Sequence, residues 1–76
     1  MTSVDIEYCV PCGHLDRAQS LQNALLSEFG RDLESVSLVT GDGGVFEVTV
    51  DGEVVFDVDE EGYDADEIVS RVGAHV

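Results

Sequence analysis

The hydrophobic period of this chain changes where the stretch Glu7-Tyr8-Cys9-Val10-Pro11-Cys12-Gly13-His14 falls. Leading into its cysteines, Val4, Ile6 and Tyr8 alternate with Ser3, Asp5 and Glu7. A repeat of two is the pattern of a strand with one buried face. After it, Leu15, Ala18, Leu21, Leu25 and Phe29 recur three and four apart, with Gln19, Gln22, Asn23 and Glu28 off that stripe. This spacing predicts an amphipathic helix of about four to five turns. Pro11 suits its first turn, where a missing N–H costs nothing, and Gly30 suits its C-terminal cap. Both cysteines and the only proline therefore sit at a strand-to-helix junction.

The rest of the chain continues in strands. Ser35 to Thr40 reads as a second strand, and Gly41-Asp42-Gly43-Gly44 as a turn. Phe46, Val48 and Val50 then alternate with Val45, Glu47 and Thr49. Asp51-Gly52 supplies a two-residue hairpin turn, since both residues tolerate positive φ. The chain returns through Val54, Val55, Phe56 and Val58. Asp64 and Glu67 have capping-box spacing before a short helix carrying Ile68, Val69 and Val72. The order is β-α-β-β-β-α. A helical crossover makes the first two strands parallel, and the hairpin is antiparallel. Polar residues alternate along the strands, so one sheet face is wet and both helices cover the other. The expected fold is an α/β two-layer sandwich, a mixed four-stranded sheet with two helices on one face, forming a single domain over residues 1–76.

Charge limits the partners. Seventeen Asp and Glu stand against three basic residues, for a net charge of -14. Such a field repels nucleic-acid phosphates and anionic membrane surfaces, so neither is expected as a partner. The chain is 43% hydrophobic in periodic patterns, which argues against disorder. A fold adapted to high salt accounts for this surface, because self-repulsion is screened over about 3 Å at 1 M. The N-terminus has no basic and hydrophobic leader pattern, and no apolar run is long enough to span a membrane. A cytoplasmic location is expected, where a Cys-x-x-Cys points to redox or metal chemistry more than to a structural bridge.

Three readings of Cys9 and Cys12 compete. As a redox pair, they benefit from the unpaired N–H groups and partial positive charge at a helix start, which favour the attacking thiolate. Pro11 stiffens the turn between them. As a metal clip they would need every other candidate in the chain, because structural zinc takes four Cys or His and only His14 and His75 remain. As inert packing, each would behave as a small hydrophobe. His14 is a possible modulator of the pair, through its charge or as a proton shuttle; its plainer reading is a solvated first-turn residue. Tyr8 is expected in the core, and Tyr63 beside the last helix. The segment 41–44 lacks the Lys-Ser/Thr of a phosphate loop. The acidic run Asp57, Asp59, Glu60 and Glu61 lacks EF-hand spacing and reads as a solvated loop.

The strand leading into Tyr8-Cys9-x-x-Cys12-Gly13, followed by a long helix, resembles the selenoprotein W-like (Rdx) family. Gly44-Val45-Phe46-Glu47-Val48 resembles that family's Gly-x-Phe-Glu-Val strand, Asp51-Gly52 through Phe56 its hairpin, and Gly62-Tyr63 its Gly-Tyr before the last helix. The similarity covers roughly residues 4–72. It implies a thioredoxin-like fold and a thiol-disulfide oxidoreductase acting through Cys9 and Cys12, with small thiols or protein disulfides as partners and an external reductant. No cofactor or metal is implied. In selenium-containing relatives the second motif position is the nucleophile, which points to Cys12. The usual exposure of the first cysteine in thioredoxin-like sites points instead to Cys9. The Lys-free acidic surface departs from basic animal members, and the cis-proline of thioredoxins has no counterpart here.

A non-catalytic binding or redox-sensing module is the rival reading. Its partner would stay bound with both cysteines replaced. A metal-carrying module using Cys9, Cys12 and His14 is a third, and the tail Gly73-Ala74-His75-Val76 argues against a ubiquitin-like modifier. A monomer is the simplest expectation for the oligomeric state. The charge itself makes a testable demand: the thermal unfolding midpoint should rise between dilute buffer and molar KCl, and equal midpoints would remove the high-salt reading.

Overall fold

The computed structural model describes residues 2–76, and its element order follows the sequence pattern. Strand β1 (Thr2–Cys9) leads to helix α1 (Leu15–Phe29), a short 3-10 turn (Gly30–Asp32) and strand β2 (Leu33–Gly41). Strands β3 (Phe46–Val50) and β4 (Glu53–Asp57) form the hairpin, and helix α2 (Ala65–Gly73) closes the domain. The spatial order is β2-β1-β3-β4. β1 pairs parallel with β2 and antiparallel with β3, so the first strand in sequence is an inner strand of the sheet. No helix among the described residues is long and apolar enough to cross a membrane.

The period-two residues divide as expected. Val4, Ile6 and Tyr8 of β1, Phe46, Val48 and Val50 of β3, and Phe56 of β4 turn inward. They meet Ala18, Leu21 and Leu25 of α1 and Ile68 and Val72 of α2 in a single cluster. Both helices thus cover one face, and Asp5, Ser35, Ser37 and Val39 lie exposed on the strands. Burial of these apolar groups is the dominant favourable contribution to such a fold.

Local chemistry explains the ends of the elements. Gly30 caps α1 with φ 49° and donates its N–H to the Leu26 carbonyl. Asp51 and Gly52 both take positive φ, 51° and 87°, as the two-residue turn requires. A register shift follows Val48, which pairs with Phe56 while Thr49 pairs with Val54, leaving Val55 as an extra residue in β4. The Arg71 guanidinium donates to the Val55 carbonyl at 3.0 Å, so α2 is stitched to this bulge. Asp64 caps α2 by accepting from the Glu67 N–H at 3.2 Å. Glu67 itself leans toward Arg71 at 3.9 Å.

Four local expectations need correction. Pro11 is not in the helix: α1 starts four residues later, and Pro11 lies within a turn spanning Val10 to Gly13. The reason is Gly13, whose φ of 78° ends that turn and lets His14 become the helix cap. Leu15 is on the helical stripe by spacing but is 42% exposed, because it is the first residue of α1 and the buried stripe begins only at Ala18. Val58 follows β4 and donates its N–H to the Phe46 carbonyl at 3.0 Å, packing against the core from outside the strand. Asp57 of the acidic run belongs to β4 and organises the next turn, its carboxylate accepting from the Asp59 N–H at 2.9 Å.

The division of α1 into a core stripe and an open face can be tested directly. Leu21→Ala should lower unfolding stability by about 2–5 kcal/mol, the cost of a core cavity. Leu26→Ala, at a position 45% exposed, should change it by no more than about 0.5 kcal/mol. Chemical denaturation measures both, and similar losses for the two variants would contradict this placement.

Candidate functional site

Cys9 is the last residue of β1 and is held from both sides. Its N–H donates to the Val45 carbonyl at 2.8 Å, and the next N–H, from Val10, donates to the Gly41 carbonyl at 3.1 Å. Gly41 is its register partner on β2. A Cβ at Gly41 would stand 2.8 Å from Val45 Cγ1 and 2.8 Å from Glu7 Oε2. Glycine there lets those two side chains close over the strand ends.

From this anchor the chain makes one tight excursion. The Gly13 N–H donates back to Val10, and the His14 N–H donates to the Cys9 carbonyl at 3.4 Å. The first helical bond follows, from the Ala18 N–H to the His14 carbonyl at 2.9 Å. Cys12 is carried on this turn, and its sulfur is bonded to that of Cys9 with the Cα atoms 5.3 Å apart. That separation is ordinary for a disulfide.

The two cysteines differ in access. Cys9 is fully buried, with 0% of its surface exposed, whereas Cys12 is exposed. The expectation drawn from thioredoxin-like sites, that Cys9 is the exposed member, is therefore corrected. The physical reason is that β1 continues through Cys9, so the first cysteine is still part of the sheet. Only the residues after it leave the sheet.

His14 is half-buried, which corrects its reading as a solvated residue. Its ring meets the fully buried Phe46 edge-on, with centroids 6.0 Å apart, and its Nδ1 is buried with no hydrogen-bond partner among the described residues. Phe46 also meets Tyr63 at 5.3 Å and Phe56 at 6.3 Å, both near-perpendicular. Tyr63 thus packs on the hairpin rings in front of α2. Arg17 lies over its face, with the guanidinium carbon 4.5 Å from the Tyr63 centroid and 5.9 Å from that of Phe46.

The electrostatics are local. Burial raises the Tyr63 phenol above its ordinary value; Arg17 opposes the rise and Asp64 adds to it. The hydrogen bond from Arg71 holds the Glu61 carboxyl below its usual range, so this member of the acidic run is engaged rather than idle. Glu53 lies 3.3 Å from His75 at the opposite end of β1 from the cysteines. No group of three or more metal-ligating side chains comes together among the described residues.

The model of the Rdx family matches residues 3–74. The chain belongs to the Rdx family. Among solved structures, a protein from Bordetella parapertussis is 38% identical, with a TM-score of 0.94, covering 99% of this chain and 98% of its own. A selenoprotein W-related protein from Vibrio cholerae is 27% identical, with a TM-score of 0.90, covering 96% and 94%. The strand order and these neighbours agree with a thioredoxin-like fold. None of the curated proteins compared with the chain matches it significantly. Membership in this family of selenoprotein W-related proteins gives the close Cys9–Cys12 pair a redox-related role.

Sequence reasoning found both cysteines and His14 but missed Arg17 and the grouping of Phe46 with Tyr63. Arg17 stands three residues after His14, which puts both on one helical face at the start of α1. That spacing was the available signal.

The burial of Tyr63 has a pH consequence. Its neutral phenol is favoured in the fold, so this contribution to stability is complete below pH about 10 and is lost as pH climbs through the raised value. In Tyr8→Phe, where Tyr63 is the only remaining phenol, an absorbance titration should give a higher midpoint folded than unfolded in denaturant. Coincident midpoints would contradict the packing described.

Proposed function

We propose that this Rdx-family protein is a thiol-disulfide oxidoreductase in which Cys12 attacks and Cys9 resolves. The observation that carries this reading is the asymmetry of access: an exposed Cys12 joined to a buried Cys9 at the end of a fixed strand. Cys12 stands two residues before the cap of α1, near the positive end of that helix, where a thiolate is favoured over a thiol.

The chemistry balances over the two thiols. The Cys12 thiolate attacks one sulfur of a substrate disulfide, forming a mixed disulfide and releasing the other sulfur as a thiolate. The Cys9 thiolate then attacks Cys12 Sγ, closing the Cys9–Cys12 bond and releasing the second substrate thiolate. The substrate gains two electrons and the pair loses them. An external dithiol returns them, since these are the only thiols in the chain. Small thiols and protein disulfides are the proposed partners. The proposed setting is a reducing, cytoplasmic one at high salt, consistent with a net charge of -14.

Equilibration across graded thiol-disulfide buffers in molar salt, followed by alkylation and mass measurement, tests the first requirement. The pair should show a reversible two-thiol transition at about −180 to −270 mV, the range of known oxidoreductases. No transition at any poise would end the reading. The order of attack is tested separately: Cys9→Ser should accumulate a mixed disulfide through Cys12, and Cys12→Ser should not. The reverse result would exchange the two roles, and a partner retained by the double serine variant would favour a binding module.

A further inference from the structure

The three arginines have different surroundings. Arg71 is engaged by Glu61, Glu67 and the Val55 carbonyl. Arg31 lies in the turn after α1, at the far end of that helix from the cysteines. Arg17 lies in the first turn of α1 and forms no ion pair among the described residues, although the chain holds seventeen Asp and Glu. It is held by stacking instead, 4.5 Å from the Tyr63 ring centroid. A stacked guanidinium keeps its charge and its fork of N–H donors for another group.

Its position relative to the cysteines is also constrained. Phe46 meets Arg17 on one hand and His14 on the other, and the His14 N–H closes the cysteine turn onto Cys9. At most two extended residues and one helical turn separate Cys12 from Arg17, so their Cα atoms are no more than roughly 12 Å apart. A net charge of -14 repels anionic substrates from the surface at large. An unpaired guanidinium in the first turn of the helix that follows the exposed sulfur is the local exception, and its donors match a carboxylate.

We propose that Arg17, stacked on Tyr63, forms a carboxylate-binding subsite beside Cys12, and that the site prefers disulfides bearing a carboxylate near the attacked sulfur. This rests on the oxidoreductase reading and adds a substrate class to it. The reaction is the exchange already written, with the carboxylate held at Arg17 while the thiolate leaves.

Two chromogenic disulfides separate the possibilities: dithiobis(nitrobenzoate), with a carboxylate on each ring, and the neutral dithiodipyridine. The reduced protein would be mixed with each in the same buffer, and the ratio of the anionic to the neutral rate taken. Arg17→Gln should lower that ratio about five- to tenfold, as loss of a close unit charge in a wet site implies; the ratio cancels any change in thiol reactivity common to both probes. Arg17→Lys should keep most of it. An equal ratio in wild type and Arg17→Gln would overturn the subsite. Salt gives a second readout on the wild type, over the range where circular dichroism shows it folded. The ratio should fall as salt is added if Arg17 governs approach, and a rising ratio would show that the overall negative field governs instead. Failure of the underlying reading looks different: Cys12→Ser would then react with dithiodipyridine as fast as wild type.

Discussion

Strand β1 is the member on which the architecture depends, because it is paired along both edges. β2 joins it in parallel over its whole length, and β3 joins it antiparallel from Val4 to Tyr8. Its inward residues Val4, Ile6 and Tyr8 are the floor on which the helices rest. Inner strands have their backbone donors and acceptors satisfied from both sides, so they resist local opening more than edges do. The buried cysteine is the last residue of this strand. Cys12, bonded to it, is carried on the few residues between Cys9 and α1.

Phe46 connects that frame to the site. It is fully buried, lies opposite Tyr8 in the β1–β3 register, and touches His14, Phe56, Tyr63 and Arg17. One side chain thus belongs both to the core and to the surroundings of the cysteine turn. Edge-to-face ring packing of this kind adds about 0.5–1.5 kcal/mol per pair beyond area burial. The proposed role of Cys12 as nucleophile draws on that frame, because Cys9 and His14 at the two ends of its turn are packed while the residues between them are exposed.

The sequence exposes this fold readily where the period is clean. Alternation through Val4, Ile6 and Tyr8, the three-four stripe of Ala18, Leu21 and Leu25, the Asp51-Gly52 turn and the Asp64 cap all express local rules, and all appear in the structure. What stayed hidden depends on contacts distant in sequence. Pro11 reads as a helix starter by its own chemistry, but the return bonds to Cys9 and Val10 hold it in a turn. Leu15 fits the stripe, yet burial along α1 begins only at Ala18. The extra residue at Val55 answers to Arg71, sixteen positions away. At the site, spacing located both thiols, and the family resemblance suggested the second as the reactive one. Which thiol is exposed followed only from how far β1 runs.

Thr2 and His75 meet at the opposite pole from this chemistry. The Thr2 hydroxyl donates to the His75 carbonyl at 3.3 Å, at the start of the strand whose last residue is Cys9. Seven residue steps of strand, roughly 23 Å, therefore separate that pole from the buried sulfur. Anything spliced onto either end, whether a purification handle, a tether to a surface or a fused reporter, would leave the fold on the far side. The domain could be displayed or chained into arrays with its cysteine turn still facing outward.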